Sequence, residues 1–212
     1  MWLTNGRLIT PRGVVRGAVG MRGGRLAHVG AAPRGETRID VRGRYIAPGF
    51  IDLHIWGDPA RVAAQEAQTG TTSFLTAIGP ESPEHLINRL AQLDLTPEVR
   101  GARCLGVHLE GPFLNPLRAG ALASRWLRPP TSRELRQLAH EAGANLRLIT
   151  IAPEIPRGIE TIRWCARHRI AVSLGHSDAD ATVTQRAITA GARAVTHVFN
   201  GMRPLHHRDP GL

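Results

Sequence analysis

In the stretch VSLGHSDADATVTQRAITAGARAVTHVFNGM, residues 172–202, two histidines each follow a short apolar run. His176 closes the first run and His197 the second. Between them, residues 180–190 space their apolar side chains for one buried helical face, and Gly191 sits where a helix C-cap belongs. A strand–helix–strand unit of this length gives parallel neighbouring strands, so both imidazoles emerge at C-terminal strand ends. In a βα-barrel that face carries the chemistry. A lone strand-end histidine is more often a structural residue with its hydrogen bonds satisfied. The run His108-Leu109-Glu110-Gly111-Pro112 changes that weighting, because it puts a carboxylate at the end of another apolar strand. One glutamate and two histidines form a known ligand set for a catalytic zinc, with positions open for water and substrate.

The elements that must position these groups can be read in order. Residues 1–48 hold four β-like pieces, 7–10, 14–21, 25–29 and 37–41, punctuated by Gly and Pro. They predict a small β-sheet domain without chemistry of its own. From residue 49 the chain alternates strand and helix. Strands are expected at 50–57, 71–77, 104–109, 146–151, 170–174 and 194–196. Helices are expected at 83–95 behind Ser82, 133–142 behind Ser132, 156–168 and 180–190. Residues 115–130 show no periodicity and form a candidate substrate lid. The expected fold class is α/β: an incomplete (β/α)8 TIM-type barrel, about six of eight strands, over residues 49–212, with a partial β-sandwich over 1–48. Six strands leave two apolar edges unpaired.

The motifs VHLEGPFLN, TIAPE, SLGHSDAD and THVFNGM followed by RDPG, with APGFIDLHIWG ahead of them, occur in one order and spacing. On these motifs the chain resembles the N-acetylglucosamine-6-phosphate deacetylase family of the amidohydrolase superfamily, from about residue 3 to residue 212. The resemblance implies one divalent metal ion, zinc first and Fe2+, Co2+ or Mn2+ as other fits, on Glu110, His176 and His197. It implies hydrolysis of the acetamide of N-acetylglucosamine 6-phosphate to acetate and glucosamine 6-phosphate. It assigns the sugar to the Asn200 side chain, the Gly201 backbone and the loop around Ala121 and Leu122, and the 6-phosphate to Arg208, reaching across a homodimer. Departures accompany the match. Trp56 stands where many amidohydrolases have the second histidine of His-x-His, leaving His54 as an outer partner or weak ligand. Leu122 stands where the family has a histidine. The family's general base, an Asp on a later strand, falls beyond Leu212, so the sequence supplies no catalytic residue of its own. Asp58, Asp178 and Asp209 fit no matching motif, and the chain as given is expected to turn over little. Two alternatives remain at this point: another amidohydrolase, dihydroorotase-like or deaminase-like, and an inactive remnant of the deacetylase.

Composition excludes other classes. The 212 residues are 42% hydrophobic, and the formal net charge of +10 rests on arginine alone, since the sequence contains no lysine. The arginines are scattered without interleaved aromatics, which argues against nucleic-acid binding. No apolar run approaches the ~18 residues of a membrane span, and MWLTNGRLITPRG lacks a signal peptide's apolar centre. Cys104 and Cys165 are expected as free thiols, and the working place as the cytoplasm.

Overall fold

The computed structural model describes residues 1–93, 95 and 101–212. These divide into two compact units, Met1–Phe50 and Ile51–Leu212. In the first unit, β1 (Trp2–Thr10), β2 (Gly13–Arg22) and β3 (Arg25–Gly30) pair antiparallel in succession. Short β4 (Arg38–Asp40) and β5 (Tyr45–Ile46) lie parallel to β1. The sequence marked four of these strands; Tyr45–Ile46 is too short to show a period. Trp2, Leu8, Ala18 and Val19 are its buried apolar residues.

In the second unit, a curled sheet runs in chain order through β6 (Phe50–Ile55), β7 (Thr71–Ile78), β8 (Arg103–Glu110), β9 (Leu146–Ile151), β10 (Ala171–Leu174) and β11 (Ala194–Val195). The pairs from β7 to β11 are parallel. This is the expected partial barrel. Helices α1 (Pro59–Glu66), α2 (Pro83–Ala91), α3 (Ser132–Ala142), α4 (Gly158–Arg167) and α5 (Ala181–Ala190) connect the strands. The apolar faces of α2 to α5 share one core with Leu109, Ile149, Ile151, Val172 and Leu174 of the sheet, while Val62 and Ala63 of α1 pack in a smaller cluster with Phe74, Ala102 and Cys104. Strand side chains alternate between faces. With Leu109, Ile149 and Leu174 committed to the helices, His108, Glu110, Thr150 and Ser173 must turn to the inner face. All four are buried there.

Helix starts follow capping chemistry. Asp58, Ser82 and Asp180 accept from the backbone N–H of Arg61, His85 and Val183. Three of the boundaries that differ from expectation have a local reason or lie at the limit of the described residues. Thr131, not Ser132, caps α3: its extended backbone lets its hydroxyl accept from Glu134 N–H, while Ser132 is already helical. Helix α4 starts at Gly158 rather than at residue 156 because Arg157 is left-handed at φ 65°. Helix α2 ends at Ala91; the expectation that it reached residue 95 runs through Asp94, outside the described residues. The aperiodic loop 115–130 contains two single 3₁₀ turns, Pro116–Arg118 and Ser124–Trp126. It is tied down at both ends. The Asn115 side-chain amide donates to Glu154, and Arg128 grips Glu134 and the carbonyls of Glu81 and Trp126.

Candidate metal centre

Glu110 ends β8, and His176 and His197 follow β10 and β11, so three strands of one sheet, with β9 between β8 and β10, deliver one donor each. The three donor atoms converge. Glu110 Oε1 lies 3.2 Å from His176 Nε2 and 3.2 Å from His197 Nε2, and the two Nε2 atoms are 3.1 Å apart. Both histidines hold left-handed backbones, His176 at φ 48° and His197 at φ 34°. Such strain costs on the order of 1–3 kcal/mol per residue and gathers at functional sites. It turns each ring inward just past its strand.

Counting protons tests whether this set fits a cation. His176 Nδ1 lies 2.8 Å from the Arg118 carbonyl, and His197 Nδ1 lies 3.0 Å from the Asn200 carbonyl. A carbonyl only accepts, so in the neutral rings both Nδ1 atoms carry the hydrogen. Both Nε2 atoms then present bare lone pairs, as does Glu110 Oε1. Three lone pairs face one point with no proton among them. In a tetrahedral zinc site with bonds of about 2.0–2.1 Å, neighbouring ligand atoms stand about 3.3 Å apart. The observed edges are close to that, so the residues fit a small divalent ion. Without one, an added proton must do the balancing. Burial opposes charge on His176, but its bonds to Glu110 and the Arg118 carbonyl outweigh this and raise its pKa above the usual value. Burial likewise works against charge on Glu110, and contacts with His176, His54 and His197 overcome it and lower that pKa.

A second polar group lies beside the first. His108 Nε2 is 2.7 Å from Thr150 Oγ1, which is 2.8 Å from Thr196 Oγ1, which is 2.7 Å from Ser173 Oγ. His108 Nδ1 donates to the Leu53 carbonyl at 3.0 Å and also faces His54 Nδ1 at 3.0 Å. His54 Nε2 in turn approaches Glu110 Oε2 at 3.5 Å. Hydroxyl protons can all run one way, Ser173 to Thr196 to Thr150 to His108, so every member is satisfied. Burial, then the neighbouring His54, pushes the His108 pKa down to about 4, so its ring is neutral. Sequence parity placed His108 on the inner face. The hydroxyl partners, drawn from three other strand ends, carry no sequence signal. His54 therefore stands outside the three-donor set, as an outer partner of Glu110. The Trp56 ring meets His54 edge-on at 6.2 Å.

The remaining expected residues sit on the loops around the donors. Asn200 and Gly201 come three and four residues after His197; the Asn200 carbonyl holds the His197 ring, and the Gly201 carbonyl accepts from Ser177 N–H. Gly201 has φ 58°, and a Cβ there would stand 3.2 Å from His176 Nδ1. Ala121 and Leu122 lie between the two 3₁₀ turns, where Leu122 N–H donates to Ala119. Arg208 is exposed and gives only its backbone N–H, to His206 Nδ1. Its neighbour Arg203 is the arginine engaged here, with Asp178 at 3.2 Å and Asp209 at 2.6 Å. The three spare aspartates are occupied. Asp58 caps α1, Asp209 pairs with Arg203, and Asp178 is held by Arg118 and Arg203, whose hydrogen bonds lower its pKa. None is free as a general base. Glu154 accepts from Asn115, Ser177 and the Asp178 backbone, so it braces the loop after His176 instead of facing the donors.

A parallel βα sheet with a carboxylate and two imidazoles converging past its C-terminal strand ends defines an amidohydrolase-type barrel protein. Comparison with known proteins narrows the class. No family model matches the chain. The N-acetylglucosamine-6-phosphate deacetylase of Bacillus subtilis (strain 168) is 34% identical over 97% of the chain and 57% of its own length. The crystal structure of the enzyme of that name from Mycobacterium smegmatis superposes with a TM-score of 0.84 at 30% identity, over 100% of this chain and 59% of that one. An Asp-to-Ala mutant of the same enzyme, solved in complex with N-acetyl-D-glucosamine 6-phosphate, gives 0.82 at 28% identity, over 100% and 58%. The chain belongs to the N-acetylglucosamine-6-phosphate deacetylase family. It spans somewhat over half the length of the relatives it matches. Among the described residues no helix is long and apolar enough to cross a membrane, and both cysteines are buried and free.

Proposed function

We propose that this chain forms the metal-holding and sugar-contacting part of a deacetylase that converts N-acetylglucosamine 6-phosphate to glucosamine 6-phosphate and acetate. The observation that carries this reading is the convergence of one ligand atom each from Glu110, His176 and His197 in a chain of this family. Glu110, His176 and His197 would hold one divalent ion, zinc by the preference of a compact nitrogen and oxygen set. Such an ion supplies Lewis acidity to an amide carbonyl and acidifies water. The chain's own residues do the positioning. Asn200, the Gly201 backbone and the Ala121 backbone hold the sugar, Leu122 gives that loop an apolar contact in place of an imidazole, and Arg208 takes the phosphate. A planar guanidinium suits that task through paired N–H donors. Homodimerisation and a cytoplasmic location are part of the same reading, supported by the family resemblance.

Calorimetric titration with N-acetylglucosamine 6-phosphate and with glucose 6-phosphate, each with and without zinc, tests it. Zinc is expected to tighten binding of the acetamido sugar only. Indifference of both sugars to zinc would overturn the proposal.

A further inference from the structure

The ring of His176 is set by a residue 58 positions away whose side chain never touches it. The Arg118 carbonyl accepts the His176 Nδ1 hydrogen at 2.8 Å. That carbonyl belongs to the 3₁₀ turn Pro116–Arg118, a single turn closed by Arg118 N–H to the Asn115 carbonyl at 2.9 Å and capped by the Asn115 side chain on Leu117 N–H. The Arg118 side chain supplies a further anchor. Its Nε lies 2.8 Å and its Nη2 2.5 Å from Asp178 Oδ1. Asp178 is in turn fixed by Glu154, which accepts its backbone N–H at 2.6 Å, and by Arg203 at 3.2 Å from its other oxygen. The start of the same loop is pinned to the histidine itself, since Asn115 N–H donates to the His176 carbonyl at 3.0 Å.

From this closed circuit we propose that Arg118 is a positioning residue: by clamping Asp178 it holds its own carbonyl where it locks His176 in the Nδ1–H tautomer, aiming the Nε2 lone pair at Glu110 and His197. The inference rests on the metal reading above and deepens it. The second bond of a ligating histidine selects tautomer and orientation, and its loss typically costs about 10–100-fold in metal affinity. Arg118 is thereby a link between the loop 115–130 and the donor set. A lysine reaches the same carboxylate as a point charge and keeps part of the clamp.

The test uses the 212-residue protein with cobalt(II) as the probe and nitrogen-15 histidine spectra of the metal-free state. The wild type should show His176 as the Nδ1–H tautomer and bind one cobalt with a visible-range spectrum. Arg118→Met should mix the His176 tautomers and weaken cobalt by about 10–100-fold, with Arg118→Lys recovering most of the loss. Asp178→Asn, which keeps the shape of the carboxylate, should reproduce the weakening if Arg118→Met does not fold. Wild-type affinity and an unmixed tautomer in Arg118→Met would overturn the clamp while leaving the metal reading intact. Failure of the wild type to bind cobalt at Glu110, His176 and His197 would overturn both.

Discussion

The inner face of the half-barrel carries two neighbouring groups that each contain histidine, and they differ in proton count. In His108–Thr150–Thr196–Ser173 each acceptor along the chain meets a donor. In Glu110–His176–His197 three acceptors meet one another. Burial does not separate their histidines: His108 and His176 are both nearly inaccessible. What separates them is the partner of the second ring nitrogen. A hydroxyl can give a proton to His108 Nε2, whereas backbone carbonyls take the Nδ1 hydrogens of His176 and His197 and leave Nε2 bare. This count marks His176 and His197, and not His108, as candidate ligands.

The largest test of the comparison removes a donor from each group. His176→Ala should abolish stoichiometric zinc binding, read by metal analysis after dialysis, whereas His108→Leu should retain it. Zinc at 100 times its Kd should stabilise the wild type by about 2.7 kcal/mol, a rise in Tm of about 5–10 °C for a chain of this size. His176→Ala should show no rise. Retained zinc in His176→Ala would break the distinction.

His108→Leu should instead act on stability. It strands the buried Thr150 hydroxyl and removes the donor to the Leu53 carbonyl, at a cost of about 1–3 kcal/mol in urea unfolding. The two groups should also respond to pH with opposite signs in metal-free protein. The folded pKa of His108, about 4, lies below its unfolded value. The unfolded chain therefore takes up the proton first, and stability falls between about pH 6.5 and 4, by about 3 kcal/mol at the limit. Glu110, His54 and His197 are the titratable groups that face it. His176 is raised, so its contribution is fully present below about pH 6.5 and is lost as pH climbs through the folded value. Urea midpoints of wild type and His108→Leu across pH 4–8 check both signs; a wild-type curve flat below pH 6.5 would count against the neutral, buried His108.

A smaller effect comes from the seam between the groups and the loops. Gly201→Ala must adopt φ 58° and bring a methyl within 3.2 Å of His176 Nδ1. It should cost about 1–2 kcal/mol and loosen zinc, measured by competition with a chelator. Smallest of all, Cys165, fully buried with its thiol pushed up to about 12 by burial, should resist maleimide at pH 7 in the folded protein and react only on unfolding.

These contrasts show which parts of the molecule were legible in the residue string. Glu110, His176 and His197 could be read because each ends an apolar run, and strand ends share a rim. Helix faces and most caps could be read because their chemistry is local. The hydroxyl network could not, since Thr150, Ser173 and Thr196 look like ordinary strand residues and meet only through sheet register. Glu110 stands opposite Thr150, and Thr150 opposite Ser173. The Arg118–Asp178 pair was equally hidden, because 60 residues separate partners that touch. Asp178 looked like the spare carboxylate nearest the site until its two arginines were visible.

The left-handed backbones at His176 and His197 have a consequence for how these positions drift. A residue at φ 48° or 34° folds more comfortably as glycine or asparagine than as histidine. If a randomised library at both positions were sorted for solubility and heat resistance alone, in metal-free medium, glycine and asparagine should displace histidine. Two imidazoles kept where the backbone prefers other side chains record a demand that folding does not make.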